Sequence, residues 1–269
     1  MNVRYIDAHC HLQFEQYAQD REEIIGRMRE EDVAGIVVGT DSETSEQAIA
    51  LAERYEHLYA AVGFHPGNVR DIVNPSSDEG FTMSKLRELA MHPKVVAIGE
   101  CGLDYFHAEK NDEQKEIFEK HITLAATLEK PLIIHSRSSK TDNAYQDLIQ
   151  LLKKAKTEYP NLRGDIHFFT GSLADAQELI KLGFTISFTA VITFAREYDE
   201  IIRSVPLANI LSETDAPFVA PASRRGERND PLAVIDVVQQ IAHIRNEDSE
   251  AVRLALLANA QNLFALRAL

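Results

Sequence analysis

Eight short apolar runs alternate with longer amphipathic segments along the chain, and this rhythm restricts the fold more than any other feature of the sequence. The runs cover residues 3–6, 35–38, 58–62, 95–98, 132–134, 165–168, 184–188 and 209–211. Their length and punctuation predict strands. Between them, apolar residues recur at helical spacing over 21–31, 44–55, 83–91, 112–128, 142–155, 173–182 and 194–204, and two more helices are predicted over 231–244 and 249–258. Pro131 and Gly183 sit just before strands. Ser172 and Asp230 occupy N-cap positions, and Pro231 takes the first helical position, where its missing N–H costs nothing. Eight strand–helix units in 269 residues match the roughly 250 residues of a closed (β/α)8 barrel. An open doubly wound sheet shares the rhythm, but no glycine-rich phosphate fingerprint follows the first strand. The expectation is an α/β chain forming one (β/α)8 TIM-barrel domain over residues 1–269.

Charge and cysteine content narrow the class. Lys and Arg number 28 against 42 Asp and Glu, a net charge of −14, which argues against a basic surface gripping long duplexes but leaves room for a local phosphate site. Two cysteines, Cys10 and Cys101, do not make a secreted disulfide framework. No apolar stretch reaches the ~18–20 residues of a membrane span, and the N-terminus has no signal-peptide core. A cytoplasmic protein with no membrane attachment and no obligate protein partner is expected.

The histidines are not scattered at random over this frame. His57, His92, His121 and His243 fall in predicted helices or in turns leading into strands. The other six gather at the C-terminal ends of strands. His9 and His11 close the first strand, His65 follows the third, His107 lies after the fourth, His135 ends the fifth and His167 the sixth. Glu100 ends the fourth strand and Asp215 the eighth. In a barrel these ends meet at one mouth, where such enzymes keep their active sites. Alternation along Asp7-Ala8-His9-Cys10-His11 places Asp7, His9 and His11 on one face, the inner face in a barrel, with Cys10 toward the helices. Several imidazoles and two carboxylates in one mouth need a cation between them. Glu213 shares the parity of Asp215; it is expected either to orient an imidazole, as Asp7 is, or to pair with a nearby Arg. The segment 222–229 carries Arg224, Arg225 and Arg228, guanidinium forks suited to phosphate, or else a solvated loop. Arg137, two residues beyond His135, is a further phosphate candidate.

Taken in order, these blocks resemble the TatD-like metal-dependent hydrolases, nucleases of the amidohydrolase superfamily. The resemblance runs from Ile6-Asp7-Ala8-His9-Cys10-His11 through Gly63-Phe64-His65-Pro66, Ile98-Gly99-Glu100-Cys101-Gly102-Leu103-Asp104-Tyr105 and Ile133-Ile134-His135-Ser136-Arg137. It continues in His167-Phe168-Phe169-Thr170-Gly171-Ser172, Glu213-Thr214-Asp215-Ala216-Pro217 and Arg225-Gly226-Glu227-Arg228-Asn229, and reaches Asn262-Leu263-Phe264. It implies a (β/α)8 barrel with two divalent metal ions. His9, His11 and Asp215 then resemble ligands of the first, Glu100 a bridging carboxylate, and His135 and His167 ligands of the second. The family usually has Cys and Ser where Phe168 and Thr170 stand, and Ile in place of Cys101. Phe168 in place of Cys is expected to reshape the packing behind His167, and with it substrate preference; none of the six ligand positions is altered.

The implied reaction is hydrolysis of DNA phosphodiesters by a water activated between two cations. Asp215 would take the proton. His65, Arg137, Arg224, Arg225 and Arg228 would hold phosphate oxygens, and Phe14, Tyr105 and Phe218 are candidates to stack a base. Four imidazoles and two carboxylates suit Zn, Mn, Fe or Co more than Mg, whereas the family nucleases are often described as Mg-dependent. Single-stranded or frayed ends fit a concave mouth better than an intact duplex does. Two alternatives remain at this stage. One is a hydrolase of a lactone, amide or aminoacyl ester, although Glu100 stands where many such enzymes carry a carbamylated lysine. The other is a non-catalytic metal-binding scaffold.

Overall fold

The computed structural model describes residues 3–68, 82–107 and 112–266. Its strands are β1 (Tyr5–Cys10), β2 (Val33–Val38), β3 (Leu58–Val62), β4 (Val95–Asp104), β5 (Leu132–Arg137), β6 (Gly164–Ile166), β7 (Thr185–Phe188) and β8 (Ile210–Ser212). They pair in parallel in chain order. The chain after β8 returns to β1: Cys10 bridges Ala216, His11 N–H donates to the Ala216 carbonyl, and Asp215 N–H donates to the His9 carbonyl. The helices are α1 (Arg21–Glu30), α2 (Ser42–Arg54), α3 (Met83–Ala90), α4 (Asp112–Leu128), α5 (Ala144–Glu158), α6 (Leu173–Lys181), α7 (Asp199–Ser204), α8 (Val234–Arg245) and α9 (Ser249–Phe264). This is the (β/α)8 barrel that the rhythm predicts. Among the described residues, no helix is long and apolar enough to cross a membrane.

Strand alternation sorts the apolar residues into two layers. Val33, Val37, Leu58, Ala60, Val62, Leu132 and Ile134 pack with the helices, while Ile6, Ala8, Ala34, Ile36, Ala61, Ala97, Ile133 and Leu211 form a separate interior cluster. Ala260, Leu263 and Phe264 of α9 join the interior cluster. The C-terminal helix therefore closes the barrel at the end away from the mouth. Helix starts follow their caps: Ser172 and Asp175 form a reciprocal capping box at α6. The Asp230 carboxylate accepts from Leu232 N–H at the turn leading into α8.

Two strands slip register where they reach the mouth. In β1 the slip lies between Asp7 and Cys10, and in β4 between Ile98 and Cys101. The first overturns the expectation that Asp7 shares a face with His9 and His11. Asp7 pairs with Gly35, on the side where Met28 and Leu58 pack, opposite Ile6 and Ala8. A bulge lets Ala8 and His9 both turn inward, so alternation is broken between them. Cys10 still faces the helices, with its thiol on the Ile36 carbonyl. The second slip carries β4 well past the predicted end at residue 98. Gly99 has φ +152°, and a Cβ there would stand 2.4 Å from the Ile133 carbonyl oxygen. A Cβ on Gly63 would lie 2.5 Å from the carbonyl carbon of Gly99. Only bare backbone lets β3, β4 and β5 approach this closely.

Opposite responses to alanine follow. Gly63→Ala should destabilise the protein by about 1–3 kcal/mol, as overpacking does. Gly26→Ala, in α1 with nothing within 4 Å of the new methyl, should stabilise it by up to ~1 kcal/mol. Urea unfolding of both variants checks the pair.

Candidate metal centre and active site

The mouth gathers side chains from five strand ends. His9 and His11 come from β1 and its end, Glu100 from β4, His135 from β5, His167 from just beyond β6 and Asp215 from just beyond β8. All but His135 are buried. They form two groups that share Glu100. In the first, His9 Nε2 and His11 Nε2 are 3.1 Å apart. Glu100 Oε2 lies 3.5 Å from His9 and 3.8 Å from His11. Asp215 Oδ1 lies 3.8 Å from His9 and 3.4 Å from His11. In the second, Glu100 Oε1 is 3.0 Å from both His135 Nδ1 and His167 Nε2, which are 3.3 Å from each other. The rings of His9 and His167 stack at 3.9 Å and join the groups.

Hydrogen bonds on the far side of the rings decide what each group presents. His11 Nδ1 is 2.8 Å from the Val38 carbonyl. A carbonyl only accepts, so Nδ1 carries the proton and Nε2 of neutral His11 turns a lone pair inward. His135 Nε2 is 3.2 Å from Asp104 Oδ2, so in neutral His135 the proton sits on Nε2 and Nδ1, turned toward Glu100, has a lone pair to offer a cation. His167 Nδ1 stands 3.6 Å from Glu213 Oε1. Lone pairs and carboxylate oxygens thus converge from all sides. Such a donor set fits a cation and little else. With metal–ligand bonds of roughly 2.1 Å, the donors around a four-coordinate ion stand about 3.4 Å apart, within the range of the first group. His9, His11, Glu100 and Asp215 would hold one divalent ion, and Glu100, His135 and His167 a second.

Without a cation the imidazoles must supply the positive charge. Burial pushes the Glu100 carboxyl up, but His167, His65 and hydrogen bonds from His135 and His167 overcome this and hold it well below the ordinary carboxylate range. Burial likewise raises Asp215, and His11, His167 and His9 bring it below its ordinary value. His167 runs the other way. Burial lowers it, and Glu100 with Glu213 more than compensates, lifting it well above its ordinary value. His135 is also raised, by Asp104 and Glu100 against burial. His9 is lowered by burial and by His167, and burial takes His65 down to about 4.

Residues behind these donors fix their positions. Asp7 accepts hydrogen bonds from the backbone of His9 and from Thr214 N and Oγ1. It ties β1 to the Asp215 segment and bonds to no ring, unlike the imidazole-orienting role expected of it. Glu213 Oε1 accepts from Phe168 N–H at 2.5 Å besides facing His167. Phe168 and Asp215, both beside ligand positions, sit at positive φ of 43° and 53°, conformations that cost a non-glycine residue on the order of 1–3 kcal/mol.

A cleft of about 530 Å³ opens above, lined by His11, Phe14, Thr40, His65, Asn68, Asp104, His107, Arg137, Phe168 and Phe218 besides the buried donors. His65 and Arg137 are thus where substrate contacts were expected. The arginine loop is not among these lining residues. Arg224 pairs with Asp230 at 2.8 Å, Arg228 with both Asp20 oxygens, and Arg225 lies 4.2 Å over the Phe194 ring. Neighbouring carboxylates and rings outside the cleft hold these guanidinium groups, which spacing alone could not show. Of the stacking candidates, Phe14 and Phe218 line the cleft, whereas Tyr105 is buried and donates to Asp147. Asp104 was overlooked in the sequence. Its distance of four residues from Glu100, on the same strand face, was the available signal.

The shifts predict how metal-free protein responds to pH. Unfolded histidines titrate near 6.5. The raised His135 and His167 contribute stability that is complete below about 6.5 and is lost as pH rises through their folded values. The lowered His9 and His65 contribute stability that is complete above about 6.5 and is lost as pH falls through theirs. Chelator-treated protein should be most stable near pH 6.5, and His167→Asn should flatten the alkaline limb. Urea midpoints across pH give the readout.

Comparison with known proteins gives the family. Residues 6–265 match the family described as TatD related DNase. An uncharacterized metal-dependent hydrolase of Bacillus subtilis, YabD, is 39% identical over 97% of this chain and 98% of its own length. A protein of Erwinia tasmaniensis named 3′-5′ ssDNA/RNA exonuclease TatD is 33% identical over 97% of this chain and 99% of its own. The crystal structure of YjjV, a TatD homologue from Escherichia coli K12, superposes with a TM-score of 0.85 at 33% identity, covering 99% of this chain and 100% of that one. With its barrel, its convergent donors and these relatives spanning its length, the chain belongs to the TatD-related DNase family.

Proposed function

We propose that this protein is a metal-dependent phosphodiesterase that shortens DNA from single-stranded or frayed ends. One observation carries the reading: the Glu100 carboxylate offers one oxygen to each of two imidazole pairs. That arrangement suits two divalent ions, of which Zn or Mn fits the nitrogen-rich donors better than Mg. Bound there, the ions supply Lewis acidity toward water and toward the phosphate oxygens. Glu100 fixes the separation of the two sites. Asp215, beside His9 and His11, takes the proton of the attacking water. His65 and Arg137 hold non-bridging phosphate oxygens, and Phe14 and Phe218 form an aromatic wall for one base. His11 and Phe14 already stack at 4.5 Å, and Phe218 meets both rings edge-on. The cleft volume is that of a small-ligand pocket. It suits one nucleotide at a chain end, and opening an internal duplex site would cost a few kcal/mol more.

Metal analysis of chelator-stripped, reloaded protein should give two divalent ions per chain. Saturation at one ion would exclude the shared role of Glu100. Glu100→Gln should reduce turnover more than ~100-fold, beyond the usual cost of losing an outer hydrogen-bond partner, with loss of metal. His65→Ala should mainly raise KM. The substrate assignment is tested by assaying each metal form on end-labelled single strands, blunt duplex, closed circular duplex, a lactone and an aminoacyl ester. Stepwise shortening of single strands is expected. Faster nicking of closed circles, or hydrolysis confined to the carbonyl substrates, would overturn it.

A further inference from the structure

His107 stands at the cleft as part of a histidine–carboxylate pair with no task in the chemistry above. Its Nδ1 lies 2.8 Å from Asp104 Oδ2. The other oxygen, Asp104 Oδ1, accepts the backbone N–H groups of Phe106 and His107 at 2.8 Å each. Asp104 is fully buried, whereas the His107 side chain is 56% exposed and lines the same cleft as His65, His135 and Arg137. A carboxylate only accepts, so Nδ1 of His107 carries a proton and Nε2 is the nitrogen not committed to Asp104. The Phe106 ring packs edge-on against the imidazole at 4.8 Å, and the Arg137 guanidinium covers Phe106 at 4.5 Å. The imidazole is thus oriented from two sides at the edge of the reaction space.

We propose that His107 is the general acid that protonates the departing sugar oxygen; this rests on the phosphodiesterase reading. An alkoxide is a poor leaving group, and a positioned acid contributes about 10²–10⁴-fold to such a step. Other titratable groups lining the cleft, among the described residues, are engaged elsewhere. His11, His135 and His167 turn their inner nitrogens to the two donor groups. His65 Nδ1 accepts from Gly67 N–H, and its Nε2 faces Glu100 at 3.6 Å. Arg137 does not release its proton. Position supports the choice. Asp215 adjoins the donor group that includes Glu100 Oε2. His107 is linked through Asp104 Oδ2 to His135, in the group that includes Glu100 Oε1. The base for the entering water and the acid for the leaving oxygen are therefore tied to different donor groups, one at each Glu100 oxygen, so that each proton transfer has its own residue.

In the step, the water oxygen bonds to phosphorus while the bond from phosphorus to the sugar oxygen breaks. The electron pair of that bond goes to the leaving oxygen, which takes the proton from Nε2 of the His107 imidazolium. His107 is left neutral, with Nδ1–H still on Asp104, and the proton of the attacking water goes to Asp215. Phosphodiester and water give phosphomonoester and alcohol, and solvent returns the proton to Nε2.

Leaving-group dependence tests the assignment. Nitrophenolate departs without a proton, whereas a deoxynucleoside does not. His107→Ala and His107→Gln, assayed with saturating metal, should lose at least ~100-fold in kcat on a thymidine dinucleotide and stay near wild type on thymidine 5′-p-nitrophenyl phosphate. Their metal content, thermal unfolding and affinity for a phosphorothioate dinucleotide should match wild type. Equal losses on both substrates, or no loss on the dinucleotide, would overturn the role of His107. If the wild-type protein cleaves neither phosphodiester, the phosphodiesterase reading itself falls, which separates the two failures.

Discussion

A carboxylate buried among imidazoles is the constraint on which the rest of this molecule turns. Glu100 is 3% exposed, and its near neighbours are His9, His11, His65, His135 and His167. Removing a charge from water costs several kcal/mol unless partners compensate. Here the compensation comes from imidazoles, or from cations that the imidazoles would hold. The hydrogen bonds behind the rings, from His11 to Val38 and from His135 to Asp104, turn nitrogen lone pairs toward the same points as the carboxylate oxygens. An arrangement that repels itself when every group is neutral or negative is one built around positive charge.

The barrel accepts this strain by departing from regularity where it meets the mouth. Away from the mouth the barrel is more regular, apart from a slip between Val95 and Ala97 at the start of β4, and α9 seals the interior with Leu263 and Phe264. At the mouth, β1 and β4 bulge, glycines allow backbones to touch, and Phe168 and Asp215 adopt left-handed conformations. Each irregularity re-aims a side chain that the regular pleat would send elsewhere. Stability resides in the apolar layers and function in the bulged ends, and the two are joined through buried tethers such as Asp7 on Thr214. Asp104 extends the same logic outward. One of its oxygens orients both His135 and His107, so the inner donors and the cleft edge share a single anchor.

The fold was legible because its signal is local and repeated. Hydrophobic periodicity separates strands from helices, and eight strand–helix units leave few architectures that cover both faces of a parallel sheet. The gathering of His9, His11, Glu100, His135, His167 and Asp215 was legible for the same reason, since strand ends on one side of a barrel must converge. Face assignments failed where the pleat is interrupted. Asp7 was assigned inward by counting in twos, and a bulge, which counting does not register, turned it away. Tyr105 reads in sequence like Phe14 and Phe218, yet it is buried and bonded to Asp147.

What the sequence by itself determined is therefore the order of the strands, the face of the barrel that carries the chemistry, and the residue types available there. Tertiary structure alone decided which oxygen of Glu100 faces which pair of imidazoles and which ring nitrogen points inward. It also decided that Arg224 and Arg228 bind carboxylates outside the cleft while Arg137 lines it, and that His107 shares an anchor with His135. The physical reason is range. Periodicity is set by neighbours a few residues apart in a regular repeat, whereas hydrogen-bond partners, bulges and ion pairs are set by where packing brings groups together, from Arg224 and Asp230, six residues apart, to Asp7 and Thr214, 207 residues apart.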